Sequence, residues 1–283
     1  MIIVSGTAST RLARELAKVS AGELAKTKIK RFPDGECYAR IETNLEGQDV
    51  VLVQTSYPDE KIVELFILQD VIRERGAKSL TTVVPYYGYA RQDKIFQAGE
   101  GISARAMAKH IQNGSDKVIT VDIHTTTILD WFDVPCVNVS VMDEVGRFLK
   151  DKYIDVIIAP DKGALERART VAKVLGCEWD HLEKTRIDGQ TVEMKPKNLK
   201  AQGKSFAIVD DIIATGGTIV KATQALKSQG AKRVVACCAH GLYAGGALPK
   251  LQASLDGIYS ADTIENPSSA FSAASAIWEE LGK

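Results

Sequence analysis

Phe206-Ala-Ile-Val-Asp-Asp-Ile-Ile-Ala-Thr-Gly-Gly-Thr218 begins as an apolar run of strand length, reaches two adjacent acids, passes through small residues and opens a helical pattern at Thr218. A strand, a short loop and a helix in that order predict one unit of an α/β fold, whose ligands bind outside the carboxyl ends of the strands. Successive backbone N–H groups of Ala214, Thr215, Gly216, Gly217 and Thr218, with a helix N-terminus behind them, form a concave donor array suited to a phosphate monoester. Asp210 and Asp211 cannot bind that phosphate themselves. Their natural partners are vicinal hydroxyls on the same ligand, met directly or through a divalent cation. A phosphorylated sugar satisfies both halves. A plain strand-end turn with Thr218 as N-cap accounts for the glycines and the threonine but not for the two acids.

Similar β-branched runs recur between helix-length stretches, at Val50 to Val53, Leu80 to Val84, Val118 to Val121, Val156 to Ile158 and Val234 to Ala236. Strands alternating with helices predict a mostly parallel sheet covered on both faces. Leu165, Ala168, Val171, Ala172 and Leu175 stripe one helix that stops at Gly176, and Ile219, Ala222 and Leu226 stripe another before Gly230. The order strand, helix, Gly-Ala-Lys, strand occurs twice, from Val50 through Gly76 to Ala90 and from Phe206 through Gly230 to Ala244. The repeat predicts two similar domains, each a mostly parallel sheet flanked by helices. The junction is expected near residues 140 to 150, giving domains 1–143 and 144–283.

The chain has 283 residues, enough for about two domains, and its 45% hydrophobic and 25% charged content is that of a soluble globular protein. Its 36 basic residues cancel 36 acidic ones. No global field therefore draws it to nucleic acid or to an anionic membrane, and any phosphate site must be local. No apolar run approaches the ~18 residues that span a bilayer, and Met1-Ile-Ile-Val-Ser-Gly lacks the basic flank of a signal peptide. Cys37, Cys136, Cys177, Cys237 and Cys238 are odd in number and have no CxxC spacing, so reduced thiols and a cytoplasmic location are expected.

Further motifs are ambiguous on their own. Tyr89-Ala-Arg-Gln-Asp-Lys94 places Arg91 and Lys94 after a strand, where a guanidinium fork and an ammonium suit a polyphosphate, yet a solvated charged loop reads equally well. Phe32-Pro-Asp-Gly-Glu36 has the composition of a turn. His124 follows a strand expected to end at Asp122 and, like His110, His181 and His240, reads as structural in isolation. From Lys184 and Arg186 a basic segment runs to about Gly203, with a hairpin expected at Asp188-Gly189-Gln190; it reads as a mobile cover over anions or as an exposed hairpin.

Taken together and in order, Phe32 to Glu36, Pro85 to Lys94, Asp122 to His124, Pro160 to Gly163, Lys184 to Arg186 and the VDDIIATGGTI stretch resemble the ribose-phosphate pyrophosphokinases, which have the type I phosphoribosyltransferase fold. The resemblance covers nearly the whole chain. It implies transfer of pyrophosphate from ATP to the anomeric hydroxyl of ribose 5-phosphate, giving phosphoribosyl pyrophosphate (PRPP) and AMP. It further implies ATP contacts from Arg91, Gln92, Asp93 and Lys94, with Phe32 on adenine and Asp34 and Glu36 at its polar edge, reaching across a subunit boundary in at least a dimer. His124 and Asp161 become ligands of a catalytic Mg²⁺, Lys184 and Arg186 the catalytic pair. Arg186, Asp210, Asp211 and Ala214 to Thr218 become the ribose 5-phosphate site. Ala214 stands where bacterial members usually carry a third acid. Lys184-Thr185-Arg186 lacks their second consecutive basic residue and the chain is shorter than theirs; these two features are similar to archaeal members.

Two other functions compete. A phosphoribosyltransferase that consumes PRPP would share the second half but would not need the Arg91-Gln92 site or a duplicated first domain. A catalytically silent regulatory relative would be free to lose Lys184, Arg186, His124, Asp161, Asp210 or Asp211, all of which are present.

Overall fold

Val50 to Val53 and Phe206 to Val209 are apolar without alternation because their strands are covered on both faces, and all of these residues are buried. The computed structural model describes residues 1–186, 192–196 and 200–282. Its contacts divide into two units, Met1–Ser140 with Asp262–Glu265 and Ser272–Lys283, and Val141–Ala261 with Asn266–Phe271.

In the first unit, strands β1 (Ile2–Ser5), β2 (Glu23–Leu24), β5 (Asp49–Val53), β6 (Ser79–Val84), β7 (Lys117–Val121) and β8 (Cys136–Val139) form a parallel sheet in the order β2-β1-β5-β6-β7-β8. Strands β3 (Thr27–Arg31) and β4 (Cys37–Ile41) make a separate antiparallel hairpin. Helices α1 (Thr10–Ser20), α2 (Glu60–Glu74) and α3 (Ser103–Ile111) connect the parallel strands. Leu52, Leu65, Leu68, Ile72 and Leu80 are fully buried in its core.

The second unit begins with α4 (Met142–Leu149) and is built on β9 (Val156–Ala159), β10 (Glu178–Arg186), β11 (Val192–Pro196), β12 (Ser205–Ile213), β13 (Arg233–Gly241), β14 (Gly257–Ala261) and β15 (Ser269–Phe271). Their order is β11-β10-β9-β12-β13-β14-β15, parallel except for the β10/β11 pair. Helices α5 (Leu165–Leu175), α6 (Gly217–Ser228) and α7 (Ala247–Ser254) complete it, over a core that includes Phe206, Ile208, Leu226 and Val234. The hairpin residues Asp188, Gly189 and Gln190 lie outside the described residues. The last helix, α8 (Ala274–Leu281), belongs to the first unit: it packs on α1, and Glu280 Oε1 lies 2.8 Å from Lys117 Nζ. A single cut after residue 143 thus leaves residues 262–265 and 272–283 apart from the unit they contact.

The repeat read in the sequence is repeated in hydrogen bonds. Gly47 N donates to Gly76 O (2.8 Å) and Lys78 N to Gln48 O (2.9 Å); Gly203 N donates to Gly230 O and Lys232 N to Lys204 O, both at 2.8 Å. Each copy then ties the strand after this turn, β6 or β13, to the next with one aspartate. Asp116 accepts from Leu80 N at 2.7 Å and donates its own N–H back at 2.8 Å, and Asp256 does the same to Val234 at 2.8 and 2.9 Å. Two local expectations shift. Helix α6 starts at Gly217, so Thr218 lies inside its first turn rather than capping it. The cap is Gly216, because a left-handed residue there aims the first N–H groups outward. Strand β7 stops at Val121, because Asp122 takes a positive φ of 36°.

Because both copies use the same carboxylate lock, Asp116→Ala and Asp256→Ala should each lower stability by about 1 kcal/mol. Urea denaturation of the two variants checks this, and a cost confined to one of them would mean the lock is not shared.

Candidate active site

Strand β12 carries the two acids out of the core and stops where Leu242 N and Tyr243 N both donate to Ile213 O at 3.1 Å. Gly216 then adopts φ 70°, and a Cβ there would lie 2.7 Å from Leu251 Cδ1, so both conformation and space require glycine. A Cβ on Gly217 would meet nothing within 4 Å: the loop approaches no other part of its own unit from that side. Thr215, Gly217 and Thr218 are exposed, Ala214 is half-buried and Gly216 buried. Among the described residues, the N–H groups of Thr215, Gly216, Gly217 and Thr218 have no acceptor. They are the orphan donors of a helix start, with no acidic residue in the first turn to take them.

Asp211 N donates to Asp210 Oδ1 at 2.9 Å, which folds the two acids against each other. Burial foremost, then the neighbouring Asp211 and the Asp161 carboxylate, push the Asp210 carboxyl up to about 8. Asp161 is exposed and caps the turn Lys162–Ala164, its Oδ1 accepting from Gly163 N at 2.9 Å. Arg167, on α5, donates from Nη1 to Gly163 O (3.0 Å) and places Nη2 3.2 Å from Asp211 Oδ2. Lys184 and Arg186 stand on β10 in register with Met194 and Val192 of β11.

The remaining candidates belong to the first unit. Phe32 is 41% exposed at the end of the β3/β4 hairpin, edge-on to Tyr38, with Lys30 Nζ 5.3 Å from its ring centre. The expected turn forms: Phe32 N donates to Glu36 O, and Asp34 Oδ1 accepts from Glu36 N at 3.0 Å. Arg91 and Lys94 are exposed, Lys94 Nζ resting 5.3 Å from the Phe96 ring centre; Asp93 is half-buried. Gln92 is half-buried and braces its own loop, Nε2 donating to Lys94 O and Glu100 Oε2, each at 3.3 Å. His124 is exposed just past β7. Asp122, which the sequence pairs with it, is buried and accepts from Ser140 Oγ at 2.8 Å.

Sequence reasoning missed three residues. Arg167 reads as an ordinary polar position on a striped helix; its only signal is that it falls four residues after Gly163. The other two lie in the first unit, where acids of the chain take backbone N–H groups at and just before the start of α1. Glu64 and Thr218 each stand twelve residues before the glycine that follows their helix, Gly76 and Gly230. Glu64 is 1% exposed and takes hydrogen bonds from Thr7 N (2.6 Å), Thr7 Oγ1 (2.7 Å) and Gln54 Nε2 (3.1 Å). Glu265 accepts from Arg11 N and Thr10 Oγ1 at the start of α1. Where the second copy has Asp210 and Asp211, the first has the neutral, fully buried Gln54 and Thr55.

Residues 1–114 match the model of the N-terminal domain of ribose phosphate pyrophosphokinase, and residues 142–268 match that of the phosphoribosyl transferase domain. The chain is 42% identical to the ribose-phosphate pyrophosphokinase of Methanopyrus kandleri over 99% of its own length and 98% of that protein. It belongs to the ribose-phosphate pyrophosphokinase family. The same identity, 42%, holds to the enzyme of Thermococcus kodakarensis over 94% of this chain and 95% of that one. The solved phosphoribosylpyrophosphate synthetase of Mycobacterium smegmatis superposes with a TM-score of 0.83 at 26% identity, covering 99% and 97% of the two chains. The fold, the family and its archaeal character expected from the sequence are thus borne out.

The Asp210 shift sets a sign. Its carboxyl is raised in the folded protein, so between the ordinary carboxylate range and about 8 the folded state holds a proton that the unfolded chain has released. With divalent cations chelated and no ligand, wild-type stability should therefore fall with rising pH over that range relative to Asp210→Asn. Parallel urea midpoints for the two proteins would place the proton elsewhere.

Proposed function

We propose that the end of β12 is where this chain holds ribose 5-phosphate while pyrophosphate passes from ATP to its anomeric hydroxyl, giving PRPP and AMP, the reaction for which its family is named. One observation carries the assignment: two acids at a strand end run directly into a turn whose N–H groups have no acceptor among the described residues. Thr215 to Thr218 receive the 5-phosphate on backbone donors and on the start of α6, while Ala214 adds no charge of its own. Asp210 and Asp211 take the vicinal hydroxyls, and with one proton on Asp210 the pair can both donate and accept.

Lys184 and Arg186 supply positive charge to the transferred group and to the oxygen that leaves, the contribution on which phosphoryl-type transfer chiefly depends. Arg91, Gln92, Asp93 and Lys94 take ATP. Arg91 and Lys94 have exposed charges for its phosphates, and Gln92 keeps the loop in shape. Phe32, with Asp34 and Glu36, faces the adenine of a neighbouring copy in a homo-oligomer of at least two chains; the exposed ring at a hairpin end supports that reading.

Mg²⁺ fits the donors. Asp161 and the Asp210/Asp211 pair offer oxygen ligands, and their negative charge adds to the burial that chiefly raises Asp210. Among the described residues no group of three or more His, Cys, Asp and Glu side chains could hold a metal ion alone. Mg²⁺ typically binds through one or two carboxylates, keeping waters and substrate oxygens for the rest. Asp161 and His124 are its proposed ligands, and it would neutralise charge on the phosphates. The cytosol is the proposed location: free cysteines and the absence, among the described residues, of a helix long and apolar enough to cross a membrane support it.

AMP release that requires both Mg²⁺ and ribose 5-phosphate is the expected result of the direct assay. A base-dependent loss of PRPP without AMP formation would instead indicate a PRPP-consuming transferase. Lys184→Ala should lower kcat by a factor of about 100 or more while leaving ribose 5-phosphate affinity within about threefold, as expected for a group that acts on the transition state.

A further inference from the structure

We propose that Arg167 is a positioning residue for this reaction: its guanidinium fixes the Pro160–Gly163 turn against the Asp211 carboxylate, so that the two acidic edges of the site move as one body. The inference rests on the proposed placement of ribose 5-phosphate at the end of β12. Three contacts in series carry it. Asp161 Oδ1 accepts from Gly163 N at 2.9 Å, Gly163 O accepts from Arg167 Nη1 at 3.0 Å, and Arg167 Nη2 lies 3.2 Å from Asp211 Oδ2. Asp161 and Asp211 come from different strand ends, those of β9 and β12, and within this unit the guanidinium links them.

The local backbone explains why an arginine is placed there. Residues Lys162–Ala164 form a 3₁₀ turn, and α5 begins only at Leu165 with Ala164 as its cap. The carbonyl of Gly163 therefore precedes the helical ladder, and the side chain four residues on is the group that reaches it. A guanidinium presents two parallel donors in a rigid plane, one for that carbonyl and one for a carboxylate. The arginine side chain is 21% exposed and that of Asp211 7%, so solvent screens the pair little. Gly163 has no side chain by which the turn could be held otherwise. Among the described residues Arg167 makes no hydrogen bond or ion pair to the donor loop Thr215 to Thr218 of its own unit. It is therefore expected to act through Asp161 and Asp211 alone.

Steady-state kinetics of full-length Arg167→Gln, Arg167→Lys and Asp211→Asn test this. Arg167→Gln should raise the KM for ribose 5-phosphate and lower kcat, each about tenfold, with the KM for ATP changed less than twofold. Arg167→Lys should recover only part of the loss, because one ammonium cannot serve the carbonyl and the carboxylate in the plane that the fork does. It also carries the test should the glutamine variant not fold. Equal changes in both KM values, or full recovery by lysine, would overturn the positioning role. Wild-type constants for Arg167→Gln beside a loss of ribose 5-phosphate affinity in Asp211→Asn would overturn it and leave the site intact. If Asp211→Asn also keeps wild-type affinity, the site assignment itself falls with it.

Discussion

Two carboxyl groups at the end of one strand cannot both remain charged as that strand leaves the core unless something opposite in charge stands by. This constraint organises the second unit. Arg167 lies 3.2 Å from Asp211 Oδ2, and Asp210 responds to burial and to its neighbour by holding its proton well above the ordinary carboxylate range. The acids are held where they are by β12, which is in parallel register with β9 on one side and β13 on the other. Moving the pair would mean breaking central ladders of the sheet, so the cost of crowding two acids is borne by the most rigid element available. The empty donors of Thr215 to Thr218 follow within a few residues. Negative and positive local fields thus alternate along one stretch of chain, in a protein whose formal charges sum to zero.

The first unit shows the same scaffold solving the opposite problem. Its Gly76 turn and the Asp116 tie repeat the Gly230 turn and the Asp256 tie of the second unit. Yet Glu64, on α2, takes the N–H and hydroxyl of Thr7 after β1, Glu265 covers the start of α1, and the strand end carries Gln54 and Thr55. A carboxylate seated on backbone N–H groups satisfies them as a bound phosphate would, and it needs no ligand. Built-in anions of this kind turn a binding turn into a structural one. They leave the first unit's exposed candidates, Phe32 and the Arg91 to Lys94 loop, on other edges of the domain. The frame is thus kept twice, and the pair of adjacent acids at this strand end once.

The sequence made the fold legible where one face of the physics dominates. Continuous β-branched runs became parallel strands, Gly176 closed α5 in a left-handed conformation, and the Gly76/Gly230 repeat announced two copies. The candidate site was legible where it is local in the chain, from Asp210 to Thr218. It was not legible where it depends on approach between elements. Arg167 looks like any exposed helix arginine until the 3₁₀ turn before α5 bends Gly163 O toward it. The roles of Glu64 and Glu265 depend on what Thr7 and Arg11 bring to them from strands and helices distant in sequence. Gln92 illustrates the converse. Its motif reads as a ligand loop by resemblance, but its amide is spent on that loop's own carbonyls and on Glu100, so the residue type alone did not separate contact from support.

The boundary between the units follows from the same reasoning. A cut near residue 143 is natural if domains are continuous in sequence, since α4 starts a new strand-helix series at Met142. Yet Asp262 is wholly buried within the first unit, accepting from Ala273 N at 2.9 Å, and Thr55 Oγ1 donates to Thr263 O. These residues follow β14 directly, and α8 after them contributes to the packing of α1 and β8. Because α8 packs on α1, its loss would expose core of the first unit: it would take away the buried Ala274 and Ile277 and strip Lys117 of Glu280. Each unit therefore has its own sheet and core, but the first is completed only after the second has been synthesised. The two copies, alike in architecture, are in this respect unequal in folding order.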